Sequence, residues 1–551
     1  MCNNFHVEQT SKCQPYCFVL HNIRLPYTAD PQEAVTTARR QLLQAFSTHA
    51  KITDAHICRR SVDARKKPHI FFVYSVQLTV QLDRKVDIDA VLHANRDLDL
   101  LHPAELPSAR GKEKLGARPV VIGFGPCGMF AALVLAEAGY APVILERGDD
   151  VEARIAAVAS FVENGTLDEN SNVQFGAGGA GTFSDGKLVT RINDPLCRYV
   201  LQRFVSFGAP EQLLFDARPH LGTDVLRILV ANIRDALKKC GATFHFRTCV
   251  QKIVPHTDTV TLYTNQGVMT AGAVILAVGH SARDTYHTLL QDGWDIVAKP
   301  FSVGVRVEHL QTWLDHAMYG TAAGDKRLPH AEYHLSYREG ARGVYSFCMC
   351  PGGQVVAAAS EAGGVVVNGM SNAARDGRNA NAALAVSVLP QDYGETPLGA
   401  IAFQRNLEQR AFCMGGENYN APAQTVGDFL NNTKGQVPTT VLPTYRNGAV
   451  RLCSLPELLP PFVTSMLQKG FSVFSKKIRN FDDPAALLTG VETRTSSPVR
   501  ILRGASFTAP VSDLIYPAGE GAGYAGGITS AAVDGIHCAT ALMERFAPLI
   551  D

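Results

Sequence analysis

Val120–Phe130 reads VVIGFGPCGMF, an apolar run broken by Gly123, Gly125 and Gly128 in the spacing G-x-G-x-x-G. The spacing alone decides little. Gly176-x-Gly178-x-x-Gly181 and Gly521-x-Gly523-x-x-Gly526 also match it, without the surroundings that give it meaning. Around the first match, Arg118–Gly123 reads as a buried strand, Pro126–Gly139 as a helix rich in alanine and leucine, and Pro142–Glu146 (PVILE) as a second strand ending in an acid. Strand, glycine turn, helix, strand and carboxylate, in that order, make a dinucleotide-binding unit. Gly123 permits the tight turn, Gly125 lets the backbone approach a pyrophosphate, and Gly128 lets helix and strand pack closely. The helix N-terminus, at Pro126 and Cys127, offers unpaired N–H groups and a positive dipole end. Glu146 is placed to accept from ribose hydroxyls. Cys127, inside the loop, reads as a small packing residue.

The totals narrow the classes. A chain of 551 residues exceeds one core and predicts two to four domains. A formal net charge of +1 gives no global pull toward nucleic acid or an anionic membrane. The longest apolar runs, such as Ala271–Gly279, fall far short of the ~20 residues a bilayer needs. The opening MCNNFHVEQTSKC has no apolar core behind a basic start, so it is not a signal peptide. Thirteen cysteines, an odd number without C-x-x-C, predict reduced thiols in a cytoplasm. No Cys/His grouping has zinc-site spacing, so no metal is expected.

Along the chain, FVLHNIRL reads as a strand. Asp30-Pro31 opens a helix with Val35, Ala38, Leu42 and Phe46 on its buried face, and Ile70–Leu82 is a long strand. Residues 1–100 therefore predict a small α+β (ferredoxin-like) domain. ARKKP, Ala64–Pro68, reads as a solvated basic loop. Residues 101–117, with Pro, Gly and charge, read as a linker. The expected organisation is then a Rossmann-like dinucleotide-binding domain in two parts, 118–298 and 505–551, with an inserted mixed α+β substrate domain over 299–504. The whole is an α/β fold.

Flavin rather than nicotinamide rests on resemblance. ILERG (Ile144–Gly148), ATFHFRTCVQKI (Ala242–Ile253), TAGAVILAVGH (Thr270–His280) and LIYPAGEGAGYAGGITSAAVDGI (Leu514–Ile536) resemble the superfamily of FAD-dependent oxidoreductases with a two-dinucleotide-binding-fold flavin domain. The resemblance implies noncovalent FAD. It places Arg147 after the strand-end acid, the Val250 backbone against the adenine and Gly279 on the adenosine side. Gly519-Glu520 stands where the superfamily has Gly-Asp toward the ribityl chain; glutamate is one methylene longer. Gly526, Gly527 and Ile528 start a helix under the flavin pyrimidine, whose dipole favours negative charge on the reduced ring.

QFGAGGAGTFSDGKL, Gln174–Leu188, is denser in glycine than a turn requires. Backbone N–H groups at Gly178 and Gly179 can reach a phosphate or the ring. Thr182 and Ser184 add hydroxyls, and Lys187 a cation that can face the flavin N1–C2=O edge or pair with a carboxylate. With ERGDDVEAR, YSFCMCPGG, NGMS and ETRTSSPVR, this stretch is similar to a bacterial family of uncharacterised FAD-dependent dehydrogenases carrying a small N-terminal domain.

Candidates for chemistry are Lys187, Cys348, Cys350, Arg494 and Arg500. Cys348 and Cys350 can pass electrons to a disulfide, or be packing residues on one face of a strand. Arg494 and Arg500 can hold a carboxylate or phosphate by a bidentate fork, or pair with Glu492 or a neighbour. His220 and His280 read as structural histidines. Three functions stay open: hydride transfer through flavin N5 to or from a small molecule, with NAD(P)H as a possible electron donor; modification of RNA; and redox sensing without turnover.

Overall fold

The computed structural model describes residues 15–46, 50–83, 86–101 and 110–548. It contains two compact units, one of residues 1–105 with 211–219 and 319–329, the other of the remainder.

In the first unit the order is strand, helix, two strands, helix, strand: Tyr16–Pro26, Gln32–Ala45, Ala50–Lys66, His69–Leu82, Ile88–Ala94 and Leu98–Leu100. The strands form one antiparallel sheet in the order Ala50–Lys66, His69–Leu82, Tyr16–Pro26, Leu98–Leu100, which is the ferredoxin-like arrangement. Period-two patterning drives it. Ile70, Phe72, Tyr74, Val76, Leu78, Val80 and Leu82 alternate along one strand and are all buried, because successive side chains leave opposite faces. Val35, Ala38 and Leu42 supply the helical face over them. The basic stretch 64–68 is less of a loop than expected: the strand runs to Lys66, Arg65 pairs with Asp63 at 2.8 Å, and His69 starts the next strand. Residues 211–219 join the unit through Arg60, which pairs with Asp216 at 2.8 Å.

The second unit holds a parallel sheet of five short strands in the order Ile515–Pro517, Val274–Leu276, Val120–Ile122, Val143–Leu145, Thr243–His245. In chain order this is 5-4-1-2-3, the doubly wound order whose direction reverses beside the first strand. Continuous apolar triplets such as VVI and VIL suit strands covered on both faces. The helix Pro126–Glu137 is buried on all sides. Gly128 makes its approach possible: a Cβ there would lie 1.9 Å from the Gly123 carbonyl oxygen. The C-terminal helix, Ile528–Arg545, lies against it. Residues 110–116 do not trail as a plain linker. They run along the end of that helix, Gly111 N–H donating to Met543 O at 2.7 Å and Glu113 N–H to Arg545 O at 3.2 Å; residues 102–109 of that stretch lie outside the described residues.

A second sheet in this unit has seven strands in the order Ser336–Glu339, Arg342–Cys350, Asn379–Val388, Phe301–Leu310, Leu487–Glu492, Ala421–Thr425, Val450–Leu452. Its central strand, FSVGVRVEHL, is buried almost throughout and carries Arg306 and Glu308 into the interior.

Candidate functional site

The glycine loop lies at the reversal point of the parallel sheet and opens into a cavity of about 330 Å³. Two helices present their first turns to it. Gly125 caps Pro126–Glu137 and Gly527 caps Ile528–Arg545; neither helix has a side-chain cap or an acid in its first turn. Both cap glycines line the cavity. A helix start leaves N–H groups unsatisfied and carries a partial positive charge. Two such starts on one cavity make a receptor for a ligand with two negative or electron-rich regions.

Of the residues expected to bind the cofactor, Gly123, Gly125, Pro126, Cys127, Glu146, Arg147, Gly179, Ser184, Lys187, Val250, Gly279, Glu520, Gly527 and Ile528 line the wall. Glu146 has a role its motif does not announce. One carboxylate oxygen accepts from Phe124 N–H at 2.8 Å, the other from Gly148 N–H at 2.9 Å and Gly176 N–H at 3.0 Å. It ties the glycine loop to the second glycine-rich stretch. Of about four lone-pair sites on a carboxylate, three are thereby used. Arg147 bridges Cys249 and Asp284 and lies over the Phe175 ring.

Four expected cofactor residues lie off the wall, each for a packing reason. Gly128 serves the helix–strand contact. Gly178 donates to the Phe124 carbonyl at 2.7 Å, and a Cβ on it would strike Thr182. Thr182 is buried and donates to the Ala177 carbonyl. Gly519 makes room for Cys127, whose Sγ would lie 2.9 Å from a Cβ, and its N–H is held by Asp534 at 2.7 Å. Asp534 is itself clamped by Arg503 at 2.6 Å, a pairing with no signature in sequence.

Among the catalytic candidates, Lys187, Cys348 and Arg494 reach the cavity while Cys350 and Arg500 do not. Arg500 donates to the Gly523 carbonyl and lies over the Tyr524 ring. Arg494 pairs not with Glu492 but with Glu408 at 2.9 Å, which Arg283 grips from its other side at 2.7 Å. Burial alone would raise the Glu408 carboxyl; Arg283 and Arg494 outweigh it and hold it well below the usual carboxylate range. Glu492 pairs with the fully buried Arg306 at 2.8 Å. Burial nevertheless raises the Glu492 carboxyl, with the Arg306 guanidinium opposing. Arg306 also donates to the Cys348 carbonyl at 2.8 Å and to Asn381 and Asn368.

Lys187 meets Asp185 at 2.6 Å, and Arg375 meets the same carboxylate at 2.7 Å. Burial opposes the charge on Lys187, but the nearby thiols and Asp185 outweigh that cost and keep it an ammonium. The two thiols do not share one face of a regular strand. The register shifts between Phe347 and Cys350, and Cys348 takes a left-handed φ of 43°. His220 stays structural, its ring against the Ala373 carbonyl. His280 lies on the cavity wall, and among the described residues its buried Nε2 has no partner. Burial first, then Arg494 and Arg283, lowers its pKa to about 3, so the imidazole is neutral. Nearby Glu520 is raised by burial to about 7.

Residues 300–495 match the family described as "FAD-dependent protein, C-terminal domain-like", and residues 20–79 match a domain of unknown function. An uncharacterized protein of Clostridium beijerinckii is 45% identical over 500 residues, covering 90% of this chain and 93% of that protein. Among solved structures, CtdE in complex with FAD aligns 78% of this chain with 84% of its own at 9% identity and a TM-score of 0.30. A thioredoxin reductase from Streptococcus pyogenes aligns 30% with 36% at 18% identity and a TM-score of 0.18. At such scores neither bears on activity. Among the described residues no helix is long and apolar enough to cross a membrane. With nine-tenths of its length aligned to the clostridial relative and its central segment matching the FAD-dependent profile, the chain belongs to the uncharacterised family of FAD-dependent proteins that its motifs resemble.

Proposed function

We propose that this chain is an oxidoreductase that holds FAD noncovalently and moves a hydride between the flavin and a small molecule. The carrying observation is the single cavity onto which two glycine-capped helix starts open from distant parts of the chain. FAD fits this wall. Its pyrophosphate suits the first helix start, its pyrimidine edge suits the second, and the orphaned His280 Nε2 on the same wall offers it a polar contact. When bound, FAD supplies two-electron chemistry that amino-acid side chains lack.

The chain's own residues bind, orient and hold protons. Gly123, Gly125 and the Pro126–Glu137 helix start hold the pyrophosphate. Glu146 keeps one acceptor for the ribose, and Val250 walls the adenine. Gly527 and Ile528, with Lys187, favour negative charge on the reduced ring. Cys348, Glu492, Arg494 and Thr495 line the wall beside them, where a substrate would lie. Burial raises the Glu492 carboxyl there, with the Arg306 guanidinium opposing.

The test is a visible spectrum of the purified protein, followed by NADPH or NADH without oxygen. Flavin bands that bleach identify a reductase with that donor. Bands that persist and bleach only with another small molecule identify a dehydrogenase reduced by its own substrate. A protein that carries no flavin and binds no added FAD sinks the reading.

A further inference from the structure

The strand Arg342–Cys350 runs regularly beside Asn379–Val388 until Phe347, where its register shifts. In an unbroken strand residues two apart lie about 6.6 Å from each other, near the upper limit for a disulfide. Here Cys348 adopts a left-handed φ of 43°, a conformation that non-glycine residues seldom take. The bend turns Cys350 back, so that its thiol donates to the Cys348 carbonyl at 3.3 Å. Cys348 lines the cavity with Lys187 and Glu492, while Cys350 is fully buried. Both are free thiols. One sulfur meets the cavity and its partner is sheltered behind it.

The charges around the pair are set for exchange. The hydrogen bond with Cys350, and then Lys187 and Arg306, hold the Cys348 thiol well below the ordinary thiol range against the effect of burial. The same hydrogen bond, with burial, pushes Cys350 up. The sulfur of Cys348 is thus the one biased toward thiolate, and that of Cys350 the one biased toward thiol. A thiolate held by cations at a cavity wall is the reactive form of cysteine.

We propose that Cys348 and Cys350 are a redox-active pair that exchanges two electrons with bound FAD, making dithiol or disulfide compounds a substrate class of this site. In the forward direction the Cys348 thiolate and the Cys350 thiol give up two electrons and one proton. The Cys350 S–H bond breaks and the S–S bond forms; a bound oxidised flavin would supply the acceptor for both electrons and the proton. The reverse step regenerates thiolate and thiol from disulfide. A substrate dithiol or disulfide reaches the pair by thiol–disulfide exchange at Cys348, the sulfur on the cavity side.

This inference rests on the flavoprotein reading, and one titration separates the two. The FAD-loaded protein, oxidised with ferricyanide and freed of it, is reduced anaerobically with dithionite. Portions are alkylated and the peptide carrying both cysteines is weighed. The expected result is four electrons taken up per FAD, with the peptide two hydrogens lighter in the oxidised sample and doubly alkylated in the reduced one. Cys350→Ser should lower the uptake to two electrons and leave a long-wavelength absorbance from the stranded Cys348 thiolate beside the flavin. Two electrons per FAD in the wild type, with both thiols alkylated after oxidation, overturns the proposal and leaves the flavoprotein reading intact. Absence of flavin from the loaded sample overturns both. If Cys350→Ser does not fold, the wild-type stoichiometry and peptide mass decide alone.

Discussion

Along the stretch of cavity wall formed by Gly123, Gly125, Glu146 and Val250, the surface is glycine and backbone held by one carboxylate. Along the stretch formed by Lys187, Cys348, Glu492 and Arg494, it is charged and nucleophilic side chains, with Lys187, Glu492 and Arg494 each held by a buried partner. The first presents N–H groups that strands and helices create wherever they occur in that order. The second depends on pairs such as Arg306–Glu492 and Arg494–Glu408, whose members come from separate elements. Backbone sites tolerate side-chain change as long as the turn survives. Side-chain sites fail when one partner is removed, because the other is left charged and dry.

The largest test of this contrast is Glu408→Gln. It leaves Arg283 and Arg494 without their shared carboxylate and should cost about 3–5 kcal/mol of stability, read as a lower denaturant midpoint. A midpoint unchanged from wild type would mean the network is not structural. On the backbone side, Glu146→Gln keeps the shape but loses the charge that accepts from three N–H groups. The expected loss is roughly 1.5–3 kcal/mol, seen as FAD affinity weakened by about tenfold or more with the fold retained.

Glu520 gives a pH signature. Its carboxyl is raised from 4.5 to about 7 by burial, so the native state holds a proton that the unfolded chain has released. That stability is fully present below pH 4.5 and is lost as pH rises through 7. For the apoprotein the decline should be on the order of 1–2 kcal/mol, after allowance for partial exposure. Glu520→Gln should flatten the profile; a wild-type protein that gains stability across that window would contradict the assignment. The smallest effect is expected at Arg500, which contacts the Gly523 carbonyl and the Tyr524 ring away from the wall. Arg500→Gln should leave FAD affinity within about 0.5 kcal/mol of wild type, and a larger loss measured by titration would return this residue to the site.

These tests follow the line between what was legible in the chain and what was not. The alternation from Ile70 to Leu82 and the glycine spacing from Gly123 to Gly128 each repeat a local geometry, so neighbouring residues suffice to read them. The same logic does not reveal that Gly178, Thr182 and Gly519 lie off the cavity wall. A glycine or hydroxyl in a dense loop can face a ligand or a neighbour, and only the neighbour, Phe124, Ala177 or Asp534, decides. The bulge at Cys348 was hidden because YSFCMC has the composition of a plain strand. Its register shift shows only in the pairing with Asn379–Val388.

The sequence by itself determined the elements, the ferredoxin-like and doubly wound sheets they assemble into, and the glycine turn between the first strand and helix of the parallel sheet, because hydrophobic period and turn chemistry act over a few residues. Only the tertiary structure decided that Arg494 answers to Glu408, that Arg306 reaches both Glu492 and the Cys348 carbonyl, and that Cys348 meets the cavity while Cys350 does not. The reason is physical: a buried charge must find its partner in three dimensions, and nothing in local spacing records which one it finds.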